Sequence, residues 1–553
     1  MLTSSGDLAA EYVRGRSVVR RKNLYTYERI RNWLEDCDSS HDCCERQAVG
    51  SNIRPTFLLD LSRTRNSRHL IKLHRVKDED LKYAALSYCW GQEQPLACST
   101  ANIDVYLTQI EVVTLPKSIR DAIWVTRRLN LRFLWVDSLC VLQDDEYAKI
   151  HEIGRMEHIY SNAHVTISAD CALNCMTGFL SVRRPFYKPI SLPFRTPNNT
   201  VGNIKLISVE QPGRLPQDNE SHEKQPIHSR AWTFQESFMS RRIVIYSEYK
   251  IFWVCARASS TDGGNQTYVN YSTPTSTGLN VQVFSRRTLL SPTYSDWCQV
   301  VEEFCRRKLT NPEDKLAALS SVAGYFANSL NDKYLAGLWE SALPKQLYWH
   351  TTDEASTSPR RPPAWRSPSW SPMSVDSAIS FAQDQSGHRK YAEEPDNIAF
   401  CTVLDSDVAP VHSDAPYGPV VSGSIELRCR ALKMHTPEPI QGNGRAYGYV
   451  DDEHAQTKFV LKYDTFEYNE LDSTATSTLH LRVNTSYGVL EPKADLWCLM
   501  LFTEVDDWNC ENVFGLVLAK LPDDNYHRVG TFFGQPAAVE LFHAQQYQDV
   551  TIV

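Results

Sequence analysis

Trp232 and Glu236 stand four residues apart in Arg230-Ala-Trp-Thr-Phe-Gln-Glu236. That spacing places an indole and a carboxylate one helical turn apart on one face. An aromatic wall beside a carboxylate could hold a planar ring and stabilise positive charge that develops as a bond breaks. The plainer alternative keeps Trp232 in the core and pairs Glu236 with Arg230, Arg241 or Arg242. A second group is Ser87, Tyr88, Trp90 and Gly91, at the end of the strand-like run Tyr83-Ala-Ala-Leu-Ser-Tyr88. Ligands of open α/β sheets sit at such carboxyl strand ends. Gly91 would permit close backbone approach and Tyr88 or Trp90 could stack on a base, against the alternative of a tight turn with buried aromatics.

Asp137-Ser-Leu-Cys140 leaves another strand-like run, Phe133-Leu-Trp-Val-Asp137, at the same edge. Asp137 could bond a sugar hydroxyl. Cys140 would be nucleophilic only beside a cation that lowered its pKa, and a structural role is the simpler expectation. Asp144 and Asp145 could cap the helix that follows. His151, Arg155 and His158 fall at i, i+4 and i+7, which predicts a solvated helix face and not the spacing of a zinc hydrolase. Cys37-x3-His41-x-Cys43-Cys44 gathers soft ligand types within eight residues. It could begin a zinc site through Cys37, His41 and Cys43, but the fourth ligand is not local and the spacing matches no common finger, so a packed N-terminal cap without metal is expected. Glycine-rich dinucleotide and phosphate-loop fingerprints are missing, as is Gly-x-Ser-x-Gly.

The elements that must position these residues alternate between short apolar runs and helical periods, the pattern of an α/β unit around a buried parallel sheet. Strands are predicted at Tyr83–Tyr88, Phe133–Asp137, His164–Ala169, Arg242–Ser247 and Ile251–Cys255. Helices are predicted over Leu115–Asn130, over Lys149–Ala163 with Ile150, Ile153, Met156 and Ile159/Tyr160 as its apolar stripe, and over Arg230–Met239. Before them Ile30, Trp33, Leu34 and Cys37 fall at helical spacing. The expected organisation is a helical cap over 1–54 and an α/β domain over 55–260 with an insertion at about 171–229. A helical bridge with a Pro-rich connector follows over 285–372, then a β-rich region over 373–553, read as a sandwich or barrel.

The 553 residues are 42% hydrophobic and carry a formal net charge of −8, which disfavours generic nucleic-acid binding because phosphate binders usually show a basic face. No window approaches the roughly 18 apolar residues of a membrane helix and the N-terminus lacks a signal core, so a cytoplasmic protein is expected. Fifteen cysteines, an odd count in a long chain, read as mostly reduced and buried.

Three ordered blocks carry a resemblance. They are Tyr83-Ala-Ala-Leu-Ser-Tyr-Cys-Trp-Gly91; Leu115-Pro-x-Ser-Ile-x-Asp-Ala-Ile123, running into Leu134-Trp-Val-Asp-Ser-Leu-Cys-Val-Leu-Gln-Asp-Asp145 and Glu152-Ile-x-x-Met156-x-x-Ile-Tyr160-Ser-Asn-Ala163; and Arg230-Ala-Trp-Thr-Phe-Gln-Glu236 with Ser240-x-Arg242. Together they resemble the heterokaryon incompatibility (HET) domain family of filamentous fungi. Looser features that accompany the domain resemble Trp33/Cys37/His41 before it and Asp314-Lys-Leu316, Gly337-Leu-Trp339 and Pro368-Ser-Trp370 after it. The resemblance implies a TIR-like fold, a five-stranded flavodoxin-like parallel sheet, and a role in regulated cell death after non-self recognition. Some TIR-like domains hydrolyse NAD with a glutamate four residues beyond a tryptophan. By that likeness Glu236 would be the catalytic carboxylate, and Ser87, Tyr88, Trp90, Gly91, Asp137 and Trp232 would shape the pocket for NAD as substrate, with no cofactor. The alternative is a non-catalytic, self-assembling interaction module whose β-rich region senses a partner.

Overall fold

Apolar runs of four or five residues with no polar alternation can be satisfied only inside a sheet covered on both faces, and that is where most of them lie. The structure, a computed structural model, describes residues 7–12, 24–44, 53–62, 69–77, 80–91, 95–180, 190–206, 225–248, 251–262, 266–268, 292–352, 360–381, 400–434, 445–448, 459–464, 483–485, 488–490, 496–505 and 508–553. The chain divides into two units, residues 1–290 and 291–553.

The strands of the first unit are β1 (Phe57–Asp60), β2 (Leu70–Arg75), β3 (Tyr83–Ser87), β4 (Ile110–Glu111), β5 (Phe133–Trp135), β6 (Val165–Ser168), β7 (Ile190–Arg195), β8 (Val201–Leu206), β9 (Arg242–Tyr246), β10 (Ile251–Cys255), β11 (Ala258–Thr261) and β12 (Gln266–Tyr268). Ten of them form one sheet in the order β12-β11-β10-β9-β6-β3-β5-β1-β2-β4. The central strands β5, β3, β6 and β9 are parallel. Numbered along the chain, these four lie in the order 2-1-3-4, and the order reverses between β3 and β6. The α/β expectation holds.

The sheet has four parallel strands and not five. Strand β10 returns antiparallel to β9, because the link from Tyr246 to Ile251 is far shorter than the crossover of roughly a dozen residues that parallel pairing needs. Strands β1 and β2, unforeseen in the sequence, extend the other side as an antiparallel pair, with β1 also antiparallel to β5.

The α-helices of the unit among the described residues are α1 (Leu24–Ser40), α2 (Ile103–Thr108), α3 (Lys117–Arg128), α4 (Asp137–Cys140), α5 (Glu146–Ile153), α6 (Met156–Asn162) and α7 (Ala231–Met239). Helix α3 begins after Pro116, buries Ile119, Ala122, Ile123 and Val125, and is closed off by Leu129 and by Asn130 in the left-handed region. Burying each of the two isoleucines contributes roughly 2 kcal/mol. The single helix expected over 149–163 is two. Gly154, a poor helix former, caps α5 and Arg155 opens α6. Ile150 is consequently 49% exposed while Met156, Ile159 and Tyr160 are buried, and His151, Arg155 and His158 do not share one continuous helix face. Within the expected insertion, β7 and β8 form a hairpin; residues 181–189 and 207–224 of that stretch lie outside the described residues.

In the second unit, α8 (Tyr294–Cys305) starts with a Thr293/Asp296 capping box and α9 (Lys315–Leu330) ends at Asn331, which is left-handed. Trp297 meets Phe326, Tyr334 and Trp339 edge to face. Among the described residues the β-rich region forms a nine-stranded sheet and, apart from it, a two-stranded pair of Val483–Thr485 with Gly488–Leu490, with helix α10 (Pro536–His543) burying Ala538, Val539 and Phe542 against the larger sheet. Asp464, 1% exposed, receives Arg528 Nε at 2.9 Å and Nη2 at 3.0 Å.

Candidate functional site

The carboxyl ends of β3, β5 and β6 converge with α7 on one polar cluster. Ser87 closes β3, and Tyr88 after it turns inward, its hydroxyl donating to Ser138 Oγ at 2.9 Å. Arg230, at the start of α7, donates to the Tyr88 carbonyl at 2.9 Å. Trp90 Nε1 donates to Asp137 Oδ2 at 2.7 Å, and the Ser138 amide donates to Oδ1 at 2.7 Å. From α6, Tyr160 Oη donates to the Leu86 carbonyl at 3.1 Å. Glu236, 5% exposed, faces this cluster, with Trp232 partly exposed one turn before it.

Two acids therefore share a poorly solvated place. Burial is the largest influence on Glu236, the nearby Asp137 charge adds to it, and together they raise its carboxyl from 4.5 to about 7 against the opposing pull of Ser87, Arg230 and Tyr160. Glu236 Oε2 and Ser87 Oγ are nevertheless buried atoms that complete no hydrogen bond. Burial also raises Asp137, offset by the Trp90 and Ser138 donors and by Arg230. A carboxyl near 7 is divided between its two forms at neutral pH and can serve as either proton donor or acceptor.

The structure brings Ser87, Tyr88, Trp90, Asp137, Trp232 and Glu236 to the same end of the sheet. Gly91 differs in what approaches it. Its φ of +91° needs glycine, and a Cβ there would lie 2.7 Å from Asn174 Cβ, so the close neighbour is the loop after β6. Cys140 is fully buried and its thiol is pushed up by that burial, the state of an inert packing residue. Asp145 caps α5 through the Ala148 amide, whereas Asp144 receives the Thr100 amide and hydroxyl.

Sequence reasoning missed Asp170, His228 and Tyr160. Asp170 follows β6, 1% exposed, and takes the Ser168 hydroxyl on one oxygen and faces His228 Nε2 at 3.1 Å with the other. Asp170, Glu236 and Arg230 all act on the Cys89 thiol, which burial first of all raises to about 11, so this second pair borders the first. The strand-end rule that singled out Asp137 would have found Asp170; nothing local marks His228.

A separate group lies at the end of α1. Cys37, His41, Cys44 and Cys255 bring their ligand atoms within 4.8 Å of one another. The third local residue is Cys44, not the expected Cys43, of whose side chain nothing is described.

Residues 83–236 match the family model described as heterokaryon incompatibility protein (HET). No curated protein matches the chain, and no solved structure does.

Proposed function

We propose, from the premise that residues 83–236 form a heterokaryon incompatibility domain, that the strand-end cluster is the active site of a TIR-like effector of cell death. In this reading it cleaves the N-glycosidic bond of NAD, releasing nicotinamide and ADP-ribose. The observation that carries the proposal is the buried Glu236 carboxyl, raised to about 7 and with one oxygen unpartnered, at the carboxyl edge of the parallel strands.

The chemistry suits that carboxyl. As the ribosyl–nicotinamide bond breaks, its electron pair returns to the pyridinium nitrogen, nicotinamide leaves neutral, and positive charge passes to the ribosyl carbon. An ionised Glu236 opposite that carbon stabilises the cation, as carboxylates do in glycoside hydrolysis. Water then adds and loses its proton to the same carboxylate. Trp232 supplies a flat apolar wall for a ring, Trp90 holds Asp137 in place, and Asp137 keeps the Glu236 proton affinity high.

Full-length protein, tested at high concentration or with a crowding agent, is expected to release nicotinamide from NAD. Glu236→Ala is expected to lower the rate by about 100-fold or more. Equal release by both proteins would remove Glu236 from the role. No release from an assembled wild type would favour a second reading, that of a self-assembling interaction module. One observation speaks for that module: Tyr147, Ile150, Leu173 and Met176 expose large apolar side chains on the segments that follow β5 and β6.

A further inference from the structure

The group at the end of α1 has the chemistry of a closed metal site. Cys37 lies in the last turn of the helix, His41 follows directly after its final residue Ser40, and Cys44 ends the short 3-10 turn Asp42–Cys44 beyond it. Cys255 arrives from the far end of the chain segment, as the last residue of β10. The chain turns out of the helix after Ser40, and this turn brings His41 and Cys44 back beside Cys37.

Distances agree with tetrahedral coordination. Zinc–sulfur bonds of about 2.3 Å and zinc–nitrogen bonds of about 2.0 Å imply ligand-to-ligand edges of roughly 3.5 to 3.8 Å. Cys255 Sγ stands 3.5 Å from His41 Nδ1, and no pair of the four ligand atoms exceeds 4.8 Å. Three thiols and one imidazole are a donor set of structural zinc sites, which leave no coordination position open. Softness and number of donors disfavour magnesium and calcium, which take oxygen.

The surroundings suit thiolates. Arg242 Nε donates to Cys37 Sγ at 3.2 Å and its Nη2 to the Cys44 carbonyl at 3.2 Å, while Asp38 pairs with the same guanidinium at 2.7 Å. The Ala258 amide donates to Cys255 Sγ at 3.3 Å. Three thiolates around one divalent ion leave a single negative charge, and a guanidinium with N–H···S bonds is what a buried site of that charge requires. Cys37, Cys44 and Cys255 are at most 1% exposed. His41 is the accessible ligand, on a cavity of about 270 Å³ lined also by Trp33, Asp36, Trp253 and Arg257, which gives an ion its way in.

We propose that Cys37, His41, Cys44 and Cys255 bind one structural zinc ion that fastens α1 to the end of β10. Binding releases three thiol protons to solvent and no electrons move. The ion joins α1 to the β10–β11 hairpin of the sheet, two elements that otherwise meet through packing such as the stacked Trp33 and Trp253 rings, 6.3 Å apart.

The test uses the full chain, expressed with zinc in the medium and purified under reducing conditions. Metal analysis is expected to find about one equivalent of zinc, chelation to lower the melting temperature, and readdition of zinc to restore it. Cobalt exchange is expected to give the intense visible bands of a tetrahedral thiolate site. Cys43→Ser retains the metal; Cys44→Ser and Cys255→Ser each lose it. If either loss variant fails to fold, the cobalt spectra of wild type and Cys43→Ser decide. Folded Cys255→Ser that keeps a full equivalent overturns the proposal. So does wild type with under about a tenth of an equivalent and no cobalt bands, or a mass two hydrogens light that reveals a disulfide among these cysteines.

Discussion

Replacing Glu236 with glutamine keeps its shape and removes its titration, and the consequence for stability can be worked out from the site. In the unfolded chain the carboxyl releases its proton near 4.5; in the folded domain it holds it to about 7. Between those values the folded state carries the extra proton, so raising the pH favours unfolding. At about 1.4 kcal/mol per tenfold change in proton affinity, the wild type gives up roughly 3 kcal/mol between pH 4 and pH 8 that Glu236→Gln does not. The stability difference between variant and wild type should therefore grow in the variant's favour through that window and level off above it. Pulse proteolysis of the full chain in urea, following fragments from residues 1–290, measures this at several pH values. Asp137→Asn supplies a control, because removing the neighbouring charge lowers the Glu236 affinity for its proton and shrinks the step. Parallel stability curves, with a change under about 1 kcal/mol across the window, would refute the account of Glu236 as a desolvated acid.

Three further outcomes follow from the same structure. Trp90→Phe removes the 2.7 Å bond to Asp137 and should cost roughly 2 kcal/mol when that carboxyl is ionised and less once it is protonated, a difference that melts at pH 8 and pH 4 would show. Gly91→Ala drives a methyl to 2.7 Å from Asn174 Cβ at a φ of +91° and should destabilise by about 1–3 kcal/mol; Asn174→Gly in the same chain relieves only the contact, so thermal melts of the pair should recover part of the loss. Asp464→Leu strands the buried Arg528 and Arg361, which both pair with it, and should cost roughly 3–5 kcal/mol in urea unfolding, while a joint Asp464→Leu, Arg528→Met replacement should recover only part of that because Arg361 keeps a buried charge.

The parallel core was legible because β3, β5, β6 and β9 are buried along their whole lengths, and fully covered strands read as unbroken apolar runs. β2 was hidden by its charged Lys72, His74 and Arg75 on an edge-side pair. The stripe through Ile150 was a true periodicity that Gly154 interrupts, and a continuous pattern cannot reveal where a helix stops. Ser87, Asp137 and Glu236 were found by position and spacing, since strand ends and a helical turn are local facts. The Asp170–His228 pair and the contribution of Cys255 were not, because each depends on which segments the sheet order sets side by side.

The order in which the cluster is assembled has a bearing on translation. Ser87, Asp137 and Asp170 are in place once β3, β5 and β6 pair, but Glu236 rides on α7, whose docking is fixed by the strand after it, β9 beside β6. Domains fold as units as the chain emerges, so the walls and the acid come together only after β9 has been made. A chain interrupted short of Tyr246 lacks the strand that sets α7 and its carboxylate beside the sheet. The cluster is therefore complete only in a chain that includes the last parallel strand.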